Sequence, residues 1–384
     1  MPTEVMQFFK SHEEMELRGK ILSLCSDVLG GKWTDLHQDN ISVTRLRGGL
    51  TNLIYLVSRK KVSPDDDLST VILRIQSQTD HEKLLTELVV FTSLAESGLG
   101  PKLLGIFPGG RFEEFIPSRQ VSHDEVASLR ISTLLARVLP RFHSTAVPIS
   151  KRPGLVNMMR EWLALFHAQG NSQVQMRTTS FQLHTNSFPA VISTVDLSRE
   201  VDLVEEFLNT APSPVVFCHN DLTSGNLLMT STRSHSSAED ITQKGNEKCS
   251  ISLKLVDFEF SGYNYRGFDI ANYFCAAAIE HNLPEYPHYG IDLNKIHNRS
   301  AKIEFCKEYV REARKLNIDI KSELSLLREI NQFAPVVHLF WAIFNLFCEK
   351  ASEFCCFIYS RHVLIKYFDY TGYFGDYGLW SVCT

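Results

Sequence analysis

The residues best suited to do chemistry lie in two short stretches. The apolar run Val215-Val216-Phe217-Cys218 leads directly into His219-Asn220-Asp221-Leu222-Thr223-Ser224-Gly225-Asn226. A second apolar run, Leu253 to Val256, ends in Asp257-Phe258-Glu259. An aspartate just past a strand end, Asp221, is placed to accept the proton of a hydroxyl. Amide and carboxylate oxygens on neighbouring turns, from Asn226, Asp257 and Glu259, are the hard donors that Mg²⁺ takes when it bridges the phosphates of ATP. The pattern H-x-D-x-x-x-x-N followed by D-x-E therefore suits transfer of a phosphoryl group from ATP to an alcohol. Read singly, Asp221 could be a turn or cap aspartate, and His219 a satisfied core histidine. Their order, and what precedes them, carries the reading.

Upstream residues read as a clamp for the nucleotide. Gly48-Gly49-Leu50-Thr51-Asn52 falls between two predicted strands, where backbone N–H groups can approach a phosphate with no Cβ in the way. An ordinary hairpin turn also contains such a glycine pair. Arg74 stands among apolar neighbours in Val71-Ile72-Leu73-Arg74-Ile75 and needs a counter-charge. Glu87 on the following helix is the expected partner, a strand cation and helix acid poised over the phosphates. A surface ion pair is the alternative.

The elements that must position these residues follow from periodicity. Residues 12–30 read as a helix stopped by Gly30-Gly31. Ile41 to Arg47 and Asn52 to Arg59 read as strands, the second with Leu53, Tyr55 and Val57 on one face and Ile54 and Leu56 on the other. Ser63-Pro64-Asp65-Asp66-Asp67 is a turn into a third strand, Val71 to Ile75. His81 to Ser97 is an amphipathic helix, and strands follow around 103–107 and 112–116. This predicts a small antiparallel sheet with one helix. After Pro117 the pattern turns helical. Ser122 with Glu125 forms a capping box opening a helix to about His143, which Pro140 should kink or end early. Further helices are expected over 153–168 and 198–209, and from Asp269 onward. The fold class is α+β, with a nucleotide-clamp lobe over 1–117 and a catalytic and acceptor-binding lobe over 118–384.

The totals exclude several functions. The chain has 384 residues, enough for two cores, with 44% hydrophobic and 22% charged residues. A net charge of −5 gives no global attraction to nucleic acid or anionic membranes. Nine scattered cysteines without a C-x-x-C pair argue for reduced thiols in the cytoplasm. Met1 to Lys20 lacks the apolar core of a signal peptide. The longest uncharged run, Asn331 to Cys348, contains Asn331, Gln332, Pro335, His338 and Asn345, so it reads as a buried helix and not an integral membrane span.

The chain resembles the choline/ethanolamine kinases, protein-kinase-like small-molecule phosphotransferases. The resemblance rests on Gly98-Leu99-Gly100-Pro101-Lys102-Leu103-Leu104-Gly105-Ile106-Phe107-Pro108-Gly109-Gly110-Arg111, Glu113-Glu114-Phe115-Ile116-Pro117-Ser118-Arg119, His219-Asn220-Asp221, and Asp257-Phe258-Glu259-Phe260 followed by Tyr263-Asn264-Tyr265-Arg266-Gly267-Phe268-Asp269-Ile270-Ala271-Asn272. It covers residues 19 to 370 or so, and the Phe-Ile-Pro-Ser-Arg string is closer to the choline-kinase branch. It implies a two-lobed kinase-like fold, with a small antiparallel-sheet lobe and a larger, mainly helical one. ATP would meet backbone groups near Glu114 and Ile116. Mg²⁺ would neutralise the phosphates, and Asp221 would orient the hydroxyl of a small amino alcohol. Asp269 would brace the catalytic loop. A homo- or heterodimer with a family member is also implied.

The chain departs from the family in the acceptor pocket. Where the family has Phe-Cys-Glu-Trp, with the Glu facing the ammonium, this chain has Phe274-Cys275-Ala276-Ala277. A family Tyr aligns with His281. Of two pocket tryptophans Trp341 remains and the other aligns with Phe344, while Tyr359 matches a further aromatic wall. Two other readings stay open: a kinase-fold enzyme for another hydroxylated acceptor, as in the aminoglycoside phosphotransferases, and a weakly active member that works as a dimer partner.

The polar stretch Ser231 to Ser250 reads as a mobile insertion, because its composition offers too little apolar surface to offset an ordering cost of ~1–2 kcal/mol per residue. Replacing it with a short Gly/Ser link should leave solubility and turnover at the wild-type level, as measured by gel filtration and steady-state assay.

Overall fold

The structure, a computed structural model, describes residues 8–9, 14–46, 52–60, 68–76, 80–175, 191–233, 249–281, 283 and 289–347. The chain forms two compact units. Unit 1 comprises Met1–Val121, Thr145–Ile149 and Gly225–Ser261, and unit 2 comprises Ser122–Ser144, Ser150–Ser224 and Gly262–Thr384. The chain passes from one to the other between Ser224 and Gly225, inside the H-x-D-x-x-x-x-N stretch.

In unit 1 the helix Glu14–Leu29 buries Ile21 and Cys25 and stops at Gly30, whose φ of 62° suits a residue without Cβ. Five antiparallel strands follow: β1 Ile41–Leu46, β2 Leu53–Arg59, β3 Thr70–Ile75, β4 Leu103–Phe107 and β5 Gly110–Glu114, in the spatial order β1-β2-β3-β5-β4. The alternation expected of β2 is observed, with Leu53, Tyr55 and Val57 buried and Ile54 and Leu56 half-buried. The helix His81–Glu96 opens on Asp80, whose carboxylate accepts from the Glu82 and Lys83 N–H groups. A second sheet pairs Cys249–Leu255 with Leu227–Arg233 and the latter with Arg119–Gln120. Both ends of the polar stretch are thus strand residues, Ser231 to Arg233 facing Ile251 to Cys249. A replacement must therefore keep 231–233 and 249–250. Residues 234–248 lie outside the described residues.

Unit 2 is mainly helical. The Ser122/Glu125 capping box forms, but it opens only the short helix His123–Val126. A second cap, Ser128, starts the helix Leu129–His143. One expected helix is therefore two, because Ser128 offers its hydroxyl to the Ile131 N–H and re-initiates the chain. Pro140 sits within the last turn, and the helix ends three residues later. Residues 331–347 of the uncharged run fall in the helix Glu323–Phe347, and among the described residues no helix is long and apolar enough to cross a membrane.

This helix anchors the short Val215–Cys218/Gly262–Tyr265 sheet through charge. Arg266 donates from Nε and Nη2 to Glu329 at 3.0 and 2.6 Å, and Ser213 Oγ donates to the same carboxylate at 2.8 Å. Both charged side chains are buried. Removing one member of such a pair strands the other without water. Glu329→Gln should lower unfolding free energy by ~3–5 kcal/mol, read from the urea midpoint.

Candidate active site

Asp221 lies in unit 2, on a loop fixed by a single carboxylate. The strand Val215–Cys218 ends at His219, which is fully buried. Asp269, also fully buried, accepts the His219 N–H at 2.9 Å and the Asn220 N–H at 2.7 Å. Its Oδ2 also meets His143 Nε2 at 3.1 Å, and His143 Nδ1 meets the Tyr309 hydroxyl at 2.6 Å. Asn220 adopts φ 66°, and its Oδ1 accepts from Asn264 Nδ2 at 2.9 Å. The Asp221 N–H donates to His219 Nδ1 at 3.3 Å, which makes that nitrogen an acceptor. Asp269 thus braces the loop as the resemblance implied. His143 gave no sequence signal among fourteen histidines. His143, Cys218 and Asp269 approach one another closely enough to suggest a metal site, but the Asp269 oxygens already serve the loop N–H groups and His143.

Unit 1 carries Asn226, Asp257 and Glu259. The Val256 N–H donates to the Asn226 carbonyl at 3.2 Å, and Leu227 faces Leu255 in the ladder, so Asn226 and Asp257 emerge side by side. Asp257 has φ 68°, a conformation that few residues with a side chain adopt. Its Oδ1 accepts from Arg74 Nη1 at 2.8 Å. Glu259 Oε2 accepts from Asn52 Nδ2 at 3.3 Å, which ties it to the end of the glycine-pair segment. Gly48, Gly49 and Thr51 lie outside the described residues.

The expected Arg74–Glu87 pair is not made. Arg74, 5% exposed, donates from Nε to Glu113 Oε1 at 2.9 Å and otherwise to Asp257. Glu87 instead accepts from Arg111 Nη1 at 2.8 Å. The register explains the exchange: Arg111 stands directly across the ladder from Arg74 and Glu113 two residues on, so the sheet itself supplies the nearest acid. Burial lowers the Arg74 pKa, but Glu113 first and then Asp257 raise it, leaving the guanidinium above its ordinary value. Arg111 and Glu113 stand in the strings that carry the resemblance, but the sequence reading gave them no role. Their signal was two opposite charges at i and i+2, which share one face of a strand. At the end of β5 the Glu114 N–H donates to the Lys102 carbonyl at 2.9 Å, and the Ile116 carbonyl accepts from Ser118 Oγ at 2.8 Å.

The remaining candidates are in unit 2. Trp341 is half-buried, with Nε1 donating to Asn272 Oδ1 at 2.6 Å. Phe344 packs edge-on against Trp341 at 5.4 Å and Trp162 at 5.0 Å. Ala276 ends the helix Arg266–Ala276. Two residues earlier, the Phe274 ring carries the Lys302 ammonium at 5.3 Å, whose pKa burial pushes down to about 8. His281 pairs with Tyr289 through its backbone, but its side chain, like Tyr359, lies outside the described residues. Glu280 acts on the His123 ring, where its charge raises a pKa that burial lowers more.

Comparison with known proteins gives this geometry a family. A family model described as choline/ethanolamine kinase matches residues 43–375. Choline kinase A2 of Caenorhabditis elegans is 34% identical over 372 residues, spanning 92% of this chain and 85% of that protein. The choline/ethanolamine kinase of Homo sapiens is 31% identical over 361 residues, spanning 91% and 85%. A solved choline kinase from Cryptosporidium parvum superposes with a TM-score of 0.68 at 20% identity, covering 94% of this chain and 97% of its own, a likeness of fold. With residues 219–226 and 257–259 both inside the matched span, the chain belongs to the choline/ethanolamine kinase family.

Proposed function

We propose that this chain transfers the terminal phosphoryl group of Mg·ATP to the hydroxyl of choline or a related amino alcohol. The observation that carries this reading is the Asp257–Arg74 pair beside Asn226. A buried strand cation holds a carboxylate by one oxygen, and the other oxygen accepts no hydrogen bond from the described residues. An amide, that carboxylate and Glu259 form an all-oxygen donor set, which fits Mg²⁺ and not a soft metal. When bound, Mg²⁺ neutralises charge on the phosphate oxygens. Arg74, Asn52 and the Gly48-Gly49-Leu50-Thr51 segment would hold the phosphates, and the Glu114–Ile116 backbone the adenine. Asp221 accepts the hydroxyl proton as the oxygen attacks. Free thiols at Cys25, Cys218, Cys275 and Cys306 fit a reducing, cytoplasmic setting.

Trp341, Phe344, His281 and Tyr359 would receive the acceptor. A quaternary ammonium donates no hydrogen bond, so aromatic faces and a nearby carboxylate must hold it. Each face contributes roughly 0.5–2 kcal/mol, whereas losing one partner of a desolvated charge pair costs about 2–5 kcal/mol. Ala276 stands where the family's acid does, and Lys302 adds a cation two residues from it in contact, at Phe274. Choline is therefore held weakly. These same residues favour, as a second reading, an acceptor less cationic than choline; a panel of hydroxylated acceptors assayed with labelled ATP separates the two.

Two variant sets test the assignment. Asp221→Asn should abolish turnover and leave nucleotide affinity near wild type, whereas Asp257→Ala should weaken Mg·ATP binding itself. Wild-type turnover in both would overturn the reading. Ala276→Glu should lower the choline KM about tenfold, ~1.4 kcal/mol, with the ATP KM unmoved. Equal choline KM values before and after would refute the missing acid as the cause.

A further inference from the structure

Five charged side chains in unit 1 alternate in sign along a continuous chain: Asp257, Arg74, Glu113, Arg111 and Glu87. The three central members are 5%, 5% and 2% exposed for Arg74, Glu113 and Arg111. A single oxygen, Glu113 Oε1, accepts from both guanidiniums, from Arg74 Nε at 2.9 Å and Arg111 Nε at 2.8 Å. Two cations facing each other across a ladder repel unless an acid lies between them. Glu113 is that acid.

Arg111 is held from three sides. Besides Glu113 and Glu87, its guanidinium lies 4.7 Å over the Phe91 ring, which is one helical turn past Glu87. Phe91 in turn meets Phe258, the residue after Asp257, at 6.3 Å edge-on. The helix face Glu87/Phe91 therefore reaches the Asp257-Phe258 turn by two routes, one ionic and one aromatic. Phe258 has little freedom to shift, since a Cβ built on Gly100 would come within 2.9 Å of its ring.

We infer that Glu113 and Arg111 are positioning residues for the nucleotide. Glu113 fixes the rotation of the Arg74 guanidinium by its Nε, and Arg111 transmits the grip of the helix Glu87 to Glu113. Two points of Arg74 are thereby committed, Nε to Glu113 and Nη1 to Asp257, while Nη2 makes no hydrogen bond among the described residues. A planar guanidinium pinned at two of its three nitrogens presents the third in a set direction, suited to a phosphate oxygen. The helix acid thus serves the strand cation through two intermediaries instead of touching it.

The inference rests on the nucleotide reading above, and direct binding keeps the two separable. Mg·ATP affinity of the full chain is measured by titration calorimetry, alongside melting temperature and the two KM values. Wild type that binds no Mg·ATP would remove the nucleotide reading itself. Given wild-type binding, Glu113→Gln should raise the Mg·ATP Kd and the ATP KM by about tenfold, the order of one lost charge-assisted hydrogen bond. The acceptor KM should stay fixed. Glu87→Gln, at the far end of the chain, should shift both in the same direction by a smaller factor. Should Glu113→Gln not fold, Arg111→Lys takes its place, because an ammonium keeps the charge but cannot span two carboxylates in a fixed plane. A folded variant with a lowered melting temperature and an unchanged Mg·ATP Kd would show a structural role only, and would overturn the inference.

Discussion

A guanidinium buried in an apolar sheet must be surrounded by acids, and much of unit 1 follows from that demand at Arg74. Uncompensated, a buried charge costs several kcal/mol. Glu113 and Asp257 compensate it, one from the adjacent strand and one from the turn after Cys249–Leu255. Glu113 then requires Arg111 to balance its own charge, and Arg111 requires Glu87. The five residues come from β3, β5, the helix His81–Glu96 and the turn after Cys249–Leu255, so the ion pairs also tie helix, sheet and turn together within the unit.

Unit 2 solves the complementary problem with one carboxylate. Asp269 gathers two loop N–H groups and a histidine, so the backbone leading to Asp221 is held by its amides. Every residue except proline keeps its backbone N–H, so this brace tolerates most substitutions at 219 and 220 but not the loss of Asp269. The Arg266–Glu329 pair and Ser213 then secure the start of the Arg266–Ala276 helix from which Asp269 projects.

Local chemistry was legible in the residue order, and long-range partnership was not. Alternation revealed β2, and the H-x-D-x-x-x-x-N spacing singled out Asp221 and Asn226 as candidates without reference to anything distant. The choice of Glu113 over Glu87 for Arg74 depended on strand register, which places Arg111 opposite Arg74 and which no local pattern encodes. Likewise the Ser122/Glu125 box was readable, but Ser128 competing as a second cap was hidden inside an apparently continuous helix. The polar stretch misled at its ends for a related reason. Threonine and serine facing one another across a ladder pair well, as Thr230 and Ser252 do at 2.8 Å, although their polarity resembles that of a loop.

The left-handed backbone at Asn220 and Asp257 limits how such a chain can change over generations. Only glycine, asparagine and aspartate enter that region at little cost, so most single-step replacements at these two positions are penalised by the backbone before any chemistry is considered. At position 257 the backbone therefore admits Asn or Gly more readily than other replacements, either of which would remove the carboxylate that accepts from Arg74. Under the function proposed above, a relative carrying either residue there would keep the fold and lose the carboxylate at that position.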